Sequence, residues 1–248
     1  MRVITGEVDA SYSQVELHPG VGAWVHGPVD LGLASDEHGD AVTLVVPREY
    51  GTVRAEIQIA EEAPPVEPDW DAVVEWSLRT GDGVALTGWA GAGLIQVPVP
   101  ADVELRVRYV VLGGQEESDG WHSPGSPTGQ DRYLLQLWPA PPAPPQVVRA
   151  TVPWSQYWVV GQSAAETVTA LSHVPDPARL AAVVDEALRR HPDVLGHLRA
   201  GDGRYRSAVV RYLQELFRVT YADPVYADLR HDADAVERVI ADRVAAAG

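Results

Sequence analysis

Hydrophobic and polar residues alternate with a period of two through much of the first 140 positions. Segment 52–60, TVRAEIQIA, places Val53, Ala55 and Ile57 on one face and charged or amide side chains on the other. Segment 103–113, VELRVRYVVLG, has the same pattern. Such alternation is typical of a strand with one buried face. Five further short segments bounded by Gly, Pro or Asp are also predicted strands: 41–47, 72–80, 83–91, 94–100 and 132–139.

Seven short strands spaced about ten residues apart favour an antiparallel β-sandwich, which we expect over residues 1–140. Between two of them, TGDG at 80–83 has the Asp-Gly pair that tight hairpin turns prefer. All eight tryptophans lie within residues 24–158, where we expect them to pack in the core and at the edges of the sandwich.

The strand pattern stops at PAPPAPPQ, residues 139–146, which has five prolines in eight positions. Proline fixes φ and donates no backbone hydrogen bond, so this stretch is predicted to be an extended linker or edge strap. The segment TVPWSQYW follows, and its rings are large enough to require burial or a partner. We therefore predict a linker with an aromatic docking segment at 141–162 and candidate partner-binding residues Trp154, Tyr157 and Trp158.

The remaining chain has helical signals. Asp176 suits a helix N-cap, with Pro177 at the first helical position, and apolar residues recur every three or four positions in 204–221. These patterns predict a helical domain at 163–248. The predicted fold class is α+β, with an N-terminal antiparallel β-sandwich followed by a C-terminal helical bundle.

Charge is distributed unevenly along the chain, whose formal net charge is −16. Residues 1–150 contain 8 arginines against 22 acids, a net of −14, while residues 151–248 contain 11 arginines against 13 acids, a net of −2. The acidic half repels nucleic acid and anionic membranes, because phosphate contacts need cations. It favours a basic protein as partner.

One basic stretch stands apart from this acidic background. Residues 189–218 contain seven arginines against three acids. A local excess of arginine is the electrostatic signature of RNA binding, so an RNA-associated adaptor is an alternative function. Its candidate contacts, also candidate partner-binding residues, are Arg199, Arg204, Arg206 and Arg211.

The sequence contains no recognisable catalytic or metal-binding motif. His191 and His197 are six residues apart, which is not the i, i+4 spacing of a zinc site on a helix. GWAGAG at 88–93 lies between predicted strands with no helix start after it, so it does not fit a phosphate loop. We expect no catalytic residue, metal or cofactor, and an enzyme is the less favoured interpretation. A carbohydrate-binding or hydrolytic sandwich with exposed tryptophans is a further alternative.

The chain has no cysteine, which excludes disulfides and thiolate chemistry. No stretch reaches the roughly 20 apolar residues of a membrane span, and the start lacks a signal-peptide pattern. These features predict a cytoplasmic protein that does not bind a membrane.

Three segments carry a family resemblance: VDASYSQVELH near the start, VPVPADVELRVRYVV, and the closing strand DRYLLQLWPA. Through them residues 8–139 resemble competence protein J, the small inhibitor of a bacterial DNA-entry nuclease. The resemblance implies a non-enzymatic sandwich that binds a protein. Together with the acidic charge, it leads us to expect an inhibitor or immunity-type binding module that acts on a nuclease or another basic partner.

A second resemblance covers residues 178–229. A helix that ends before HPD, the turn LRAGDGR, a long helix and then ADP are similar to the helical tail of tRNA-dependent amidotransferase B subunits. The lysines and basic glycine-rich stretch of that family are replaced here by the acidic VTYADPVYADLRHD. The resemblance implies an association with tRNA.

Overall fold

The structure, a computed structural model, describes residues 1–27, 29–36, 40–114, 131–152, 154–155 and 158–159, and seven single positions from 185 onward. The chain divides into two compact units, Met1–Ser155 and Gln156–Gly248. The described elements are twelve strands and one 3₁₀ turn: β1 (Arg2–Ser11), β2 (Gln14–His18), β3 (Trp24–Val25), β4 (Ala34–Ser35), β5 (Val42–Val45), β6 (Tyr50–Ile59), β7 (Ala72–Arg79), β8 (Val84–Gly88), the 3₁₀ turn (Trp89–Gly91), β9 (Ile95–Val97), β10 (Glu104–Leu112), β11 (Arg132–Pro139) and β12 (Gln146–Ala150).

Each of the seven segments predicted as strands contains a strand, but these strands do not form a sandwich. They join one curled twelve-stranded sheet, whose main path runs β12-β7-β10-β11-β6-β1-β2-β5-β4. Of the described pairings β11 with β6 is parallel, and the others are antiparallel. The predicted two-sheet antiparallel sandwich is therefore wrong. A period of two shows which face of a strand is buried, but it does not show which strand lies beside it.

The predicted α+β class is also wrong. Strands are the main secondary structure of the described residues. Among these residues, the helical element with assigned bounds is the 3₁₀ turn at Trp89–Gly91. No C-terminal helical bundle is shown, and the predicted helices at 163–248 lie outside the described residues except for seven single positions. Helical periodicity predicts local amphipathic segments, but it does not establish a packed bundle.

The inner face of the curled sheet forms the core. Val53, Ala55 and Ile57 are buried there, as their alternation predicts. Trp76 and Leu137 from neighbouring parts of the sheet are also fully buried. The outer face of β7, β10 and β11 is buried as well, because two extended proline-rich segments cross it.

These two segments, 60–71 and 139–146, are the proline straps. In the second strap, the Ala143 amide donates to the Ser77 hydroxyl at 3.0 Å. Arg106 donates to the carbonyl oxygens of Ala143, at 2.8 Å, and Pro144, at 3.0 Å. Proline carbonyls remain free to accept although the ring nitrogen cannot donate, so side chains of the sheet hold the strap in place.

The segment TGDG at 80–83 is not a hairpin turn, because β7 and β8 do not pair; β8 pairs with β2 and β9. The Gly81 amide donates to the Pro19 carbonyl oxygen at 2.8 Å, and the Val21 amide donates to the Asp82 carboxylate at 2.8 Å. Gly81 and Asp82 therefore join two loops that are about 60 residues apart in the chain.

Candidate functional site

Three exposed aromatic side chains meet at one end of the β1–β2 hairpin. Tyr12, Tyr50 and Trp89 are 57%, 43% and 42% exposed. The ring centroid of Tyr12 lies 5.4 Å from that of Tyr50 and 5.2 Å from that of Trp89, with both pairs in edge-to-face geometry. We call these three residues the aromatic turn surface. Each comes from a different segment, so the sheet assembles this surface.

The turn that carries Tyr12 has an unusual backbone. Tyr12 and Ser13 connect β1 to β2, and both have positive φ, 56° and 61°. Residues with a Cβ adopt this region at a cost, and Asn or Gly usually occupies such turns. The Ser13 amide donates to the Glu49 carbonyl oxygen at 3.1 Å, and the Val46 amide donates to the Ser13 carbonyl oxygen at 2.9 Å. These two hydrogen bonds fix the strained turn against the loop before β6.

Trp89 lies on a second constrained turn. Ala90, the next residue, also has positive φ, 56°. Gly88, which precedes the turn, packs closely against β1. A Cβ at this position would overlap the carbonyl oxygen of Asp9. The Gly88 amide donates to the Ala92 carbonyl oxygen at 2.8 Å, which closes the turn. Trp89 is thus held beside β1 and cannot move away without breaking this packing.

Carboxylates lie on the segments that carry the aromatic turn surface. Glu7 and Asp9 are exposed on β1, and Asp9 accepts a hydrogen bond from the Thr52 hydroxyl at 3.0 Å. Glu49 directly precedes Tyr50. Partial desolvation, the neighbouring Tyr12 hydroxyl and the negative charge of Glu49 raise the pKa of Tyr50 above its ordinary value. The negative charge of Glu49 therefore acts at the edge of the aromatic turn surface that Tyr50 forms.

A second exposed apolar group follows the other end of β2. Trp24 is 64% exposed, and Val21 is exposed beside it. Arg79, which pairs with Trp24 across β3 and β7, forms an ion pair with Asp102 at 2.6 Å. Among the described residues, no aromatic ring packs on Trp24 as Tyr50 and Trp89 pack on Tyr12. Trp24 therefore serves as a matched control for Trp89.

A row of buried and half-buried polar side chains crosses the outer face of the sheet. Glu75 of β7, Arg108 of β10, Gln136 of β11 and Gln58 of β6 lie directly opposite one another in the registers of the four strands. Arg108 donates to Glu75 at 2.7 Å and to Gln136 at 2.8 Å, and Gln136 donates to Gln58 at 2.8 Å. Gln58 in turn donates to Glu56 at 2.7 Å. The chain of bonds satisfies these buried groups, which makes it a scaffold feature.

Two tryptophans enclose the arginine of this row. The guanidinium carbon of Arg108 lies 6.0 Å from the ring centroid of Trp70 and 5.0 Å from that of Trp138. Arg108 also donates to the Pro64 carbonyl oxygen of the first proline strap at 2.8 Å. Arg106 donates to Glu75 at 3.3 Å. Burial alone would raise the pKa of Glu75, but hydrogen bonds from Arg108 and Gln146 and the charges of both arginines lower it below the ordinary value.

A groove of about 570 Å³ lies on the same outer face, between the first proline strap and β11. Its lining includes Trp70, Leu134 and Gln136, with Glu56 and Arg132 at the edge. The groove is open to solvent and its polar floor is already hydrogen-bonded, so it presents no unsatisfied group that requires a ligand.

The structure describes two of the sequence-predicted site residues, Trp154 and Trp158. Trp154 is 7% exposed and its ring packs against Gly114, while Trp158 is half-buried. The burial of Trp154 fits a docked aromatic segment, and the assignment of Trp154 and Trp158 as partner contacts remains a prediction. The other predicted contacts lie outside the described residues and remain predictions: Tyr157, Arg199, Arg204, Arg206 and Arg211.

The sequence interpretation missed the aromatic turn surface. Tyr12, Tyr50 and Trp89 are far apart in the chain, and the strand order that brings them together has no local signal. One signal was present: the tyrosine of SYS and the tryptophan of GWAG are larger and more apolar than the small polar residues that turns prefer.

Within residues 1–27, 29–36, 40–114 and 131–152, no group of three or more His, Asp or Glu side chains is arranged to hold a metal ion. No helix in the described part of the chain has the length and apolar character to cross a membrane.

No protein-family model and no curated protein matches the chain. Among solved structures, it is similar to ComJ, inhibitor of the DNA degrading activity of NucA, from Bacillus subtilis, with 12% identity and a TM-score of 0.38, over 56% of this chain and 100% of that chain. It is also similar to the structure described as crocagin biosynthetic gene J, with 14% identity and a TM-score of 0.34, over 57% and 100% of the two chains. This is a loose structural resemblance in the N-terminal part. The predicted resemblance to amidotransferase tails remains a prediction.

Proposed function

We propose that this chain is a protein-binding module and that the aromatic turn surface is its contact site. The observation that carries the proposal is the edge-to-face packing of three exposed rings, of which Tyr12 and Trp89 lie on two strained, hydrogen-bonded turns. Strained backbone persists only where the surrounding structure fixes it, and such positions cluster at binding sites. Here the strain holds rings in solvent, where they contribute nothing to the core.

Tyrosine and tryptophan suit this role energetically. They bury a large area on binding and have only two side-chain torsions to restrict, so association costs them little conformational entropy. Because neighbouring rings already restrain Tyr12, its cost is lower still. Such residues are enriched at the energetic centre of protein interfaces.

The charge of residues 1–150 favours a basic protein as the partner, since a net of −14 attracts cationic surfaces over a distance set by ionic strength. We propose an inhibitor or immunity-type role in which the module occupies the cationic surface of its target. A nuclease is a target of this kind, because its DNA-binding surface must be cationic.

The experiment is affinity capture from an extract of the source organism, with mass-spectrometric identification at 50 and 500 mM salt. Three baits are compared: the full chain, its Y12A/Y50A/W89A variant and its W24A variant. We expect one basic protein to bind the full chain and W24A at low salt, to bind less at high salt and to be lost from the triple variant.

Equal capture by all three baits would contradict the assigned surface. Capture that is unchanged at 500 mM salt would contradict electrostatic recognition. Purified partner is then tested for inhibition of its activity by the full chain, and full activity at saturating module would contradict the inhibitor role.

A further inference from the structure

The polar groups around the aromatic turn surface accept hydrogen bonds and carry negative charge. Asp9 and Glu49 are carboxylates, and the hydroxyls of Tyr12 and Tyr50 can also accept. We propose that this surface binds the arginine side chain of a basic protein, with the guanidinium stacked on the rings and paired with the flanking carboxylates. This inference rests on the proposed function and specifies the chemistry that the site recognises.

Arg48, two residues before Tyr50, is held in contacts with other segments. Arg48 donates to the Asp131 carboxylate at 3.1 Å and to the Thr52 carbonyl oxygen at 2.6 Å. Arg54 lies directly opposite Glu7 in the β1–β6 register. These two hydrogen bonds of Arg48 direct its guanidinium toward Asp131 and the Thr52 backbone.

Arginine fits this surface better than lysine. Its guanidinium is planar, weakly hydrated and able to stack on an aromatic ring while it donates to a carboxylate. An ammonium group is a compact and strongly hydrated charge, which gains less from an apolar ring. Aromatic faces carry negative quadrupole charge, and a neighbouring carboxylate adds to the attraction.

The same combination occurs inside the protein. Arg108 lies between the rings of Trp70 and Trp138 and donates to the Glu75 carboxylate at 2.7 Å. The buried cluster shows that this fold accommodates a guanidinium between aromatic rings and a carboxylate. At the aromatic turn surface the rings and carboxylates are present, and the arginine is the component that a partner supplies.

The test is NMR titration of the full ¹⁵N-labelled chain with argininamide and, separately, lysinamide at constant ionic strength. The chain has eight indole N–H groups, so Trp89 and Trp24 report on the two exposed surfaces independently. We expect argininamide to shift the Trp89 signal saturably, to leave Trp24 unshifted, and to bind about fivefold more tightly than lysinamide.

Substitutions define the contributions of ring and charge. Y12A should abolish the saturable shift at Trp89, and E49Q should weaken argininamide binding about threefold to tenfold while the rings remain. W24A should bind as the unmodified chain does. Equal affinity for the two amides, no saturation, or parallel shifts of Trp24 and Trp89 would overturn the inference, since each indicates general attraction of cations to an acidic protein.

The outcome for the proposed function is separate. If the triple variant loses its captured partner but argininamide does not bind, the protein-binding function stands and the arginine inference fails. If argininamide binds at Trp89 but capture does not depend on the three rings, the proposed function fails at this surface.

Discussion

The Glu75 carboxylate accepts a hydrogen bond from Arg108 at 2.7 Å. Both charged side chains are buried in the middle of one face of the sheet. Arg106 and Gln146 donate to the other carboxylate oxygen, at 3.3 and 3.0 Å. One acid thus compensates two buried arginines, and both arginines in turn bind the proline straps. Glu75 is therefore the shared counter-charge of the two arginines that bind the straps.

Replacement of Glu75 by alanine should destabilise the protein by about 3–5 kcal/mol, because it leaves two arginines buried without their counter-charge. Urea unfolding followed by circular dichroism measures this change. The matched control is D102N, which removes the exposed ion pair with Arg79 and should cost less than about 1 kcal/mol. Equal effects of the two substitutions would show that burial of the Glu75 pair contributes nothing.

Stability should also fall in acid because of Glu75. Its pKa in the folded protein lies below the ordinary value of 4.5, so its contribution is fully present above that value and is lost as pH falls through the lowered pKa. Unfolding free energy measured from about pH 6 to about pH 3 should therefore decrease more steeply for the unmodified chain than for E75Q. Parallel pH profiles would contradict this assignment.

The burial of this polar row could not be predicted from strand periodicity. The alternation in β10 correctly predicts that Leu105, Val107 and Tyr109 face the core, and it predicts that Arg106 and Arg108 face solvent. Both arginines are instead buried, with exposed fractions of 5% and 4%. The proline straps that cover them come from segments roughly 30–45 residues away in sequence, and no local pattern specifies where those segments cross.

Seven of the twelve described strands were predictable, since each of the seven proposed segments contains one. β1 was missed because Gly6 and exposed polar residues interrupt its apolar pattern, although it pairs with β6 along its whole length. The candidate site was missed for a related reason. Its turn has Tyr-Ser where a sequence rule expects Asn-Gly, and its three rings meet only through the long-range order of the strands.

Gly114 is predicted to be necessary for the position of Trp154. A Cβ at Gly114 would lie 2.8 and 3.1 Å from two ring carbons of Trp154 and 3.3 Å from a Val111 methyl group. G114A should destabilise the protein by about 1–3 kcal/mol through overpacking, and should increase acrylamide quenching of tryptophan fluorescence as Trp154 is displaced. G83A is the control, since a Cβ there has no neighbour within 4 Å. Equal stabilities of the two variants would contradict the tight packing.

The strained turn predicts a conflict between stability and binding. S13G relieves the cost of positive φ at one position and should stabilise the protein by about 0.5–1 kcal/mol, while Tyr12 and its ring contacts remain.

Y12N/S13G installs the pair that turns with two positive φ values prefer, and should retain the fold. Because it removes the central ring, it should also lose argininamide binding at Trp89 and capture of the protein partner. Thermal unfolding and the same NMR titration measure the two effects on one set of samples. A destabilised S13G would show that the turn is not strained, and a Y12N/S13G variant that still binds would show that Tyr12 is not part of the site.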